Sequence, residues 1–165
     1  MIAFYNQIMR YQLYREQQLN CDIDTAWDFF SSPHNLSKLT PKEMGFTVRS
    51  KDLNPEISEE MIIEYKITPI LGIPLKWITR ITQVEKYKSF TDFQVKGPYR
   101  YWNHFHEFIP NKKGVLMKDT VEYEMPFGIL GTLVHRFFVK KKLENIFQHR
   151  YETLDKRFNK AHEQR

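Results

Sequence analysis

Between Met61 and Met125 the chain passes through five segments of alternating side chains with no helical interval between them. Extended segments joined without a crossover helix pair antiparallel. The segments are Met61–Thr68, Leu75–Val84, Phe90–Lys96, Tyr101–Ile109 and Val115–Met125, with turns expected at Pro69, at Gly72-Ile73-Pro74 and at Asn111–Gly114. The first shows the pattern well: Met61, Ile63, Tyr65 and Ile67 share one face, and Ile62, Glu64, Lys66 and Thr68 the other. The pattern changes at Gly128. From Ile129 onward no proline occurs, and Leu130, Leu133, Val134, Phe137, Phe138, Leu143, Ile146, Phe147, Leu154 and Phe158 recur at helical spacing. A helix of about 30 residues, roughly 45 Å long, follows. It needs an apolar partner, and a strongly curved antiparallel sheet is the only large one available.

Upstream, Tyr11–Leu19 reads as a strand with Tyr11 and Leu13 on one face. Asp24 is the expected N-cap of a helix over TAWDFF, and Ser32-Pro33 opens a second short helix that Pro41 ends. Phe46–Lys51 is a short strand. The sum is one strand, two short helices, six strands and one long helix, an α+β layout in a single domain over residues 1–165.

Hydrophobic content of 41% with 15% aromatic excludes a disordered chain, and thirteen Phe with nine Tyr imply a bulky core or a cavity walled by rings. The single cysteine, Cys21, excludes an intrachain disulfide and a zinc site of several thiolates, which fits a reducing, cytoplasmic setting. No secretory signal is expected from the N-terminal residues, and no run approaches the roughly 18 apolar residues of a membrane span. The net charge of +5 is concentrated late: residues 135–165 hold nine Lys/Arg against four Asp/Glu, including Lys140-Lys141-Lys142. Such a patch raises nucleic acid or an anionic membrane as partners. No nucleic-acid recognition motif accompanies it, so no specific nucleic acid is expected, and a solvated helix face is the ordinary reading.

The chemistry concentrates in GPYRYWNHFHEF, residues 97–108. On a strand, Trp102, His104, His106 and Phe108 share one side, and the flanking rings favour the interior. On the next strand Met117, Asp119, Val121, Tyr123 and Met125 form the apolar face, with Asp119 its one carboxylate. A buried carboxylate needs a partner, and a neighbouring histidine is available. Asp92 and Gln94 share one face of the preceding strand, with Thr91, Phe93 and Val95 opposite, and alternation alone does not say which face is inside.

The order and spacing of AWDFFSSPHNLSKLTP (26–41), GIPLKWITRI (72–81), FTDFQVKGPYRYWNHFHEF (90–108), KDTVEYEMPFGILG (118–131) and IFQHR (146–150) resemble the helix-grip superfamily known as SRPBCC or START-like. Within it they look most like the bacterial ligand-binding SRPBCC group, some of whose members carry the label cell-division inhibitor. The superfamily also includes plant pollen-allergen proteins and polyketide aromatase/cyclases. The resemblance implies a seven-stranded curved antiparallel sheet gripping a long C-terminal helix, two short helices after the first strand, and a deep apolar cavity. It also makes Asp92, Gln94, His104, His106, Asp119 and Tyr123 a shared polar pattern.

Three readings of the histidines follow. A His-x-His pair with Asp119 as third ligand is a metal candidate, but the family pattern calls for no metal and no cofactor. His104, His106 and Asp119 are candidates for acid–base chemistry of a cyclase or dehydratase kind. The third reading, which needs least, is a cavity that binds a small hydrophobic or amphipathic molecule, with Trp77, Phe93, Trp102, Phe108, Met117, Tyr123, Met125, Leu133 and Phe137 as its walls. The glycines of Pro126–Gly131 and Gly97-Pro98-Tyr99 are read as turn geometry. No GxGxxG or Walker loop occurs, so no nucleotide is expected; oligomerisation stays open.

Overall fold

Alternation along the strands decides the architecture. In the computed structural model, which describes residues 9–70 and 73–160, strand β6 (Tyr101–Asn111) buries Trp102, His104, His106 and Phe108 and leaves the residues between them half-exposed. Strand β7 (Gly114–Glu124) likewise buries Val115, Met117, Asp119, Val121 and Tyr123. With β1 (Arg10–Leu19), β2 (Thr47–Val48), β3 (Ile62–Ile70), β4 (Ile73–Glu85) and β5 (Ser89–Lys96) they form one seven-stranded antiparallel sheet. Its order is β1-β7-β6-β5-β4-β3-β2, so chain neighbours pair throughout except where β1 closes against β7.

The helix α1 (Ile23–Phe30) follows β1, then a 3-10 helix over Pro33–Leu39 with proline at its start and a single turn at Lys42–Met44. The N-cap of α1 is Asp22, not Asp24: its side chain accepts from the Thr25 amide at 2.7 Å, and Asp24 sits in the first turn, where a carboxylate favours the helix dipole. Two neighbouring aspartates satisfy the same local pattern, and only backbone geometry chooses between them. The strand expected over Phe46–Lys51 contracts to Thr47–Val48. Pro69, Ile73 and Pro74, expected in a turn, belong to β3 and β4, whereas Gly72 lies outside the described residues.

A continuous helix closes the fold. It is built from an α segment Gly128–Val134, a π segment His135–Val139, an α segment Lys140–Leu154 and a π segment Asp155–Asn159. Its gripped stripe is Gly131, His135, Val139, Leu143, Phe147, Arg150, Leu154 and Phe158. Five of these recur every four residues, a spacing that would drift about 40° per turn on a regular 3.6-residue helix. The wider π turn between His135 and Val139 reduces that drift and keeps the stripe on the sheet. Gly131 permits the close start: a Cβ there would meet the Pro126 carbonyl oxygen at 1.9 Å. Gly114 shapes the β6–β7 turn with φ of +118° and passes against the Leu19 carbonyl.

The main core lies where α1 and the end of the long helix meet the sheet. Trp27 is fully buried there, its ring edge-on to Phe90 and Phe108 and its Nε1–H donating to Glu56 Oε1 at 2.7 Å. A second cluster, Leu13, Trp102, Val121, Tyr123, Val139, Leu143 and Phe147, holds the other end of the helix. Trp27→Ala removes a large ring from the packed core and its hydrogen bond to Glu56, which keeps Lys86 as a partner; urea unfolding is expected to show a loss of about 3–5 kcal/mol.

Candidate functional site

Five ionisable side chains from four elements converge beneath the long helix. Asp92 comes from β5, His104 and His106 from β6, Asp119 from β7 and Arg150 from the helix. Asp92 lies directly opposite His104 and Asp119 directly opposite His106 across their strand pairs. The hydrogen bonds nonetheless run diagonally. His106 Nε2–H donates to Asp92 Oδ2 at 2.9 Å, and His104 Nε2–H donates to Asp119 Oδ1 at 3.0 Å. Arg150 grips Asp119 with two bonds, Nε to Oδ2 at 2.9 Å and Nη2 to Oδ1 at 3.2 Å. Two contacts that are not hydrogen bonds complete the group. His104 Nδ1 is 3.6 Å from Asp92 Oδ2, and His106 Nδ1 faces Asp119 Oδ1 at 2.8 Å in a direction that makes no hydrogen bond.

Burial sets the protonation. It pushes the Asp119 carboxyl up, but the Arg150 guanidinium and both histidines outweigh it and hold the group well below the usual carboxylate range. Asp92 is held low against burial by the charges and hydrogen bond of the two imidazoles. The histidines separate. Burial lowers His104, and repulsion from His106 adds to this, so His104 favours the neutral form. Burial also opposes charge on His106, yet its two carboxylate neighbours outweigh this and raise it. Two carboxylates thus face Arg150 and two imidazoles whose pKa values the site drives in opposite directions.

The cluster borders a cavity of about 250 Å³ between sheet and helix. Trp77, Asp92, Trp102, His104 and Met125 line it, together with Tyr65, Ile67, Leu75, Thr79, Tyr99, Leu143, Ile146 and Phe147. His106 lines a smaller neighbouring cavity of about 40 Å³, which shares Asp92 and Arg150 with the larger one. The remaining candidates serve otherwise. Phe108 and Met117 are packed in the main core, and Gln94, on the inner face with Asp92, donates its amide to the Tyr99 carbonyl at 2.8 Å. Tyr123 bonds to His135 Nε2 at 2.8 Å, a ring that also stacks on Tyr11.

Six wall assignments need correction: Phe93, which packs on Tyr101, and Phe108, Met117 and Tyr123, which core packing takes, do not line the cavity, and neither do two residues of the helix. Leu133 and Phe137 are 49% and 66% exposed and do not line the cavity, because the helix turns the Gly131–His135–Val139 stripe to the sheet instead. Arg150, one of the nine Lys/Arg of residues 135–165 for which a solvated helix face is the ordinary reading, is 6% exposed and is the counter-ion of Asp119. A solitary arginine on the apolar stripe, spaced between Phe147 and Leu154, was the signal that would have found it.

Asp92, His104 and His106 each present a ligand atom within 4.8 Å of the others, which makes them the described residues able to hold a metal ion. The third ligand expected from sequence, Asp119, is committed to Arg150 and His104; Asp92 takes that place in the geometry. Among the described residues no helix is long and apolar enough to cross a membrane.

Two measurements test this electrostatic picture. Nitrogen-detected titration of the histidine rings should show the pair releasing protons in two macroscopic steps, one above and one below the free value of about 6.5. The upper step belongs chiefly to His106: a raised folded pKa stabilises the fold below the unfolded pKa and loses that effect as pH climbs through the folded one. Separately, Arg150→Met leaves Asp119 buried without its cation and should cost about 3–5 kcal/mol by urea unfolding. Adding Asp119→Asn should recover part of the loss.

No family model and no curated protein matches the sequence. Solved structures do match its shape. Ginseng major latex-like protein 151 from Panax ginseng superposes with a TM-score of 0.65 at 12% identity, covering 91% of this chain and 98% of that one. SA2116, a protein of unknown function from Staphylococcus aureus, gives 0.64 at 10% identity over 91% and 96% of the two chains. TTHA0849 from Thermus thermophilus gives 0.63 at 14% identity over 90% and 96%. Likeness at such identities is likeness of fold, and with the seven-stranded sheet around its C-terminal helix it establishes the helix-grip architecture for this chain.

Proposed function

We propose that this protein binds a small hydrophobic or amphipathic molecule between its sheet and C-terminal helix. The observation that carries the reading is one cavity of about 250 Å³ with aromatic and aliphatic walls, a charged corner at Asp92, His104 and Arg150, and Lys142 on its outer wall. Apolar walls supply desolvation and a few convergent polar groups supply orientation, which is what a small-molecule site requires. The volume lies just under the usual lower limit of about 300 Å³, so a compact guest fits better than a long-chain lipid. Its polar end would meet the Asp92–His104 corner and its apolar body would lie against Trp77, Trp102 and Phe147. Arg150 and Asp119 hold that corner rigid from behind. A cytoplasmic setting suits a chain whose one thiol, Cys21, is pushed up to about 11 by burial, with Asp22 adding to the effect, and so stays unreactive.

Native mass spectrometry of the purified protein, followed by solvent extraction, should find a bound species of defined mass. An environment-sensitive naphthalene probe should saturate at one site per chain and change the fluorescence of Trp77 and Trp102. Leu75→Trp, which fills the cavity from a half-buried wall position, should weaken that probe at least tenfold with little change in thermal melting. Protein at its bare sequence mass with no saturable probe binding would sink the proposal.

A second reading rests on His104 alone. It lines the cavity, favours its neutral form and is oriented through Nε2 by Asp119, which is the arrangement of a general base. Cyclase or dehydratase chemistry on an aromatic polyketide would use it so. Turnover of such substrates by the wild type, lost in His104→Ala, would support this; absence of turnover in the wild type would remove it.

A further inference from the structure

We propose that the first turns of the C-terminal helix, with the loop before them, form a docking surface for an anionic lipid bilayer. The loop and helix start carry an unusual density of unburied apolar side chains. Phe127 is 84% exposed, Ile129 72%, Leu130 69%, Phe137 66% and Phe138 69%, with Leu133 half-exposed beside them. The sheet does not use these residues: the buried stripe of this segment consists of Gly131, His135 and Val139. A contiguous exposed patch of this kind on a folded chain marks a contact with something else.

Charge selects the occupant. Residues 126–143 contain Arg136, Lys140, Lys141 and Lys142 and no Asp or Glu. Phenylalanine and leucine flanked by lysine and arginine is the composition of helices that lie in the headgroup region of a bilayer, with rings inserted and cations on anionic lipid. A second copy of the chain is disfavoured as the cover, because a self-complementary contact would set these cations against each other. Nucleic acid would pair with the lysines and leave the phenylalanines in water. Glu43, which borders the groove with Met44 and Phe138, and the exposed Glu144 just past this stretch are acidic neighbours, and the four cations still outnumber them.

This placement bears on the cavity. Met44, Lys142 and Ile146 line both the interior cavity and the outer groove that Phe137 and Phe138 flank. A protein docked by this face holds that thin wall against the bilayer. Docking depends on the outer surface alone and stands whether or not the cavity takes a guest.

The test is flotation of the full 165-residue chain with vesicles. One set is phosphatidylcholine alone; the other is phosphatidylcholine with about one-third phosphatidylglycerol, a fraction large enough for the surface charge to attract basic segments. Binding is expected to the anionic vesicles, at least tenfold stronger than to the neutral ones, and to weaken as salt is raised. Phe137→Ser with Phe138→Ser should lower it at least tenfold at all salt concentrations, whereas Lys140→Gln, Lys141→Gln and Lys142→Gln together should remove its salt dependence. All these side chains are exposed or half-exposed, so thermal melting should stay that of the wild type and loss of binding cannot be ascribed to unfolding. No binding to anionic vesicles, or equal binding by the Phe137/Phe138 variant, would overturn the proposal. So would sedimentation showing a wild-type dimer that this variant converts to monomer, since a second copy would then cover the face.

Discussion

The ion pair between Asp119 and Arg150 ties the long C-terminal helix to the sheet, and the rest of the interior is arranged around it. Two buried charges of this kind are stable only when their geometry is good and their remaining hydrogen-bonding positions are filled. Arg150 meets both carboxylate oxygens, and His104 fills a further position on one of them. The attraction also fixes the rotation of the helix. With Arg150 facing the sheet, Phe147 and Leu154 come with it, and Leu133 and Phe137 are carried to the outside. That pair of charges acts together with the buried stripe of Val139, Leu143, Phe147, Leu154 and Phe158 in setting which apolar residues are core and which are surface.

The same cluster decides why the interior is hollow where it is. Large rings fill the end beneath α1, with Trp27, Phe30, Phe90 and Phe108 in mutual contact. At the other end Trp77, Tyr99 and Trp102 pack against one another along the wall and leave the centre open. Between the two lies the charged corner, which an apolar side chain could not cover without stripping Asp92 and His104 of solvation. A polar boundary beside an apolar hollow is a consequence of that cost. It also separates two imidazoles that look equivalent in sequence: the carboxylates beside His106 raise its pKa, whereas burial and repulsion from His106 lower that of His104, which faces the larger cavity.

Legibility in the sequence followed the range of the interactions concerned. Strand faces depend on a two-residue period, and Trp102, His104, His106 and Phe108 share the inner face as that period requires. For β5 the residues alternate polar against apolar in an order that does not name the inside; the paired strands place Asp92 and Gln94 inward and leave Val95 exposed. On the helix, an apolar stripe broad enough to include Leu130, Leu133, Val134, Phe137 and Phe138 offered more surface than the sheet could cover. Periodicity counts apolar residues and does not say which of them lose the competition for burial.

By itself the sequence determined the α+β layout, the antiparallel order of the later strands, the inward turn of the two histidines and the existence of a helix long enough to span the sheet. These are set by local sterics and by the two periods of side-chain direction, which act within a few residues. Only the tertiary structure decided that Asp119 pairs with an arginine 31 positions away, that the histidines bond diagonally rather than to the residues opposite, and that the start of the helix shows its phenylalanines to solvent. Those outcomes depend on how a helix rotates and slides over a curved sheet, a choice made by packing and by buried charge across the whole chain.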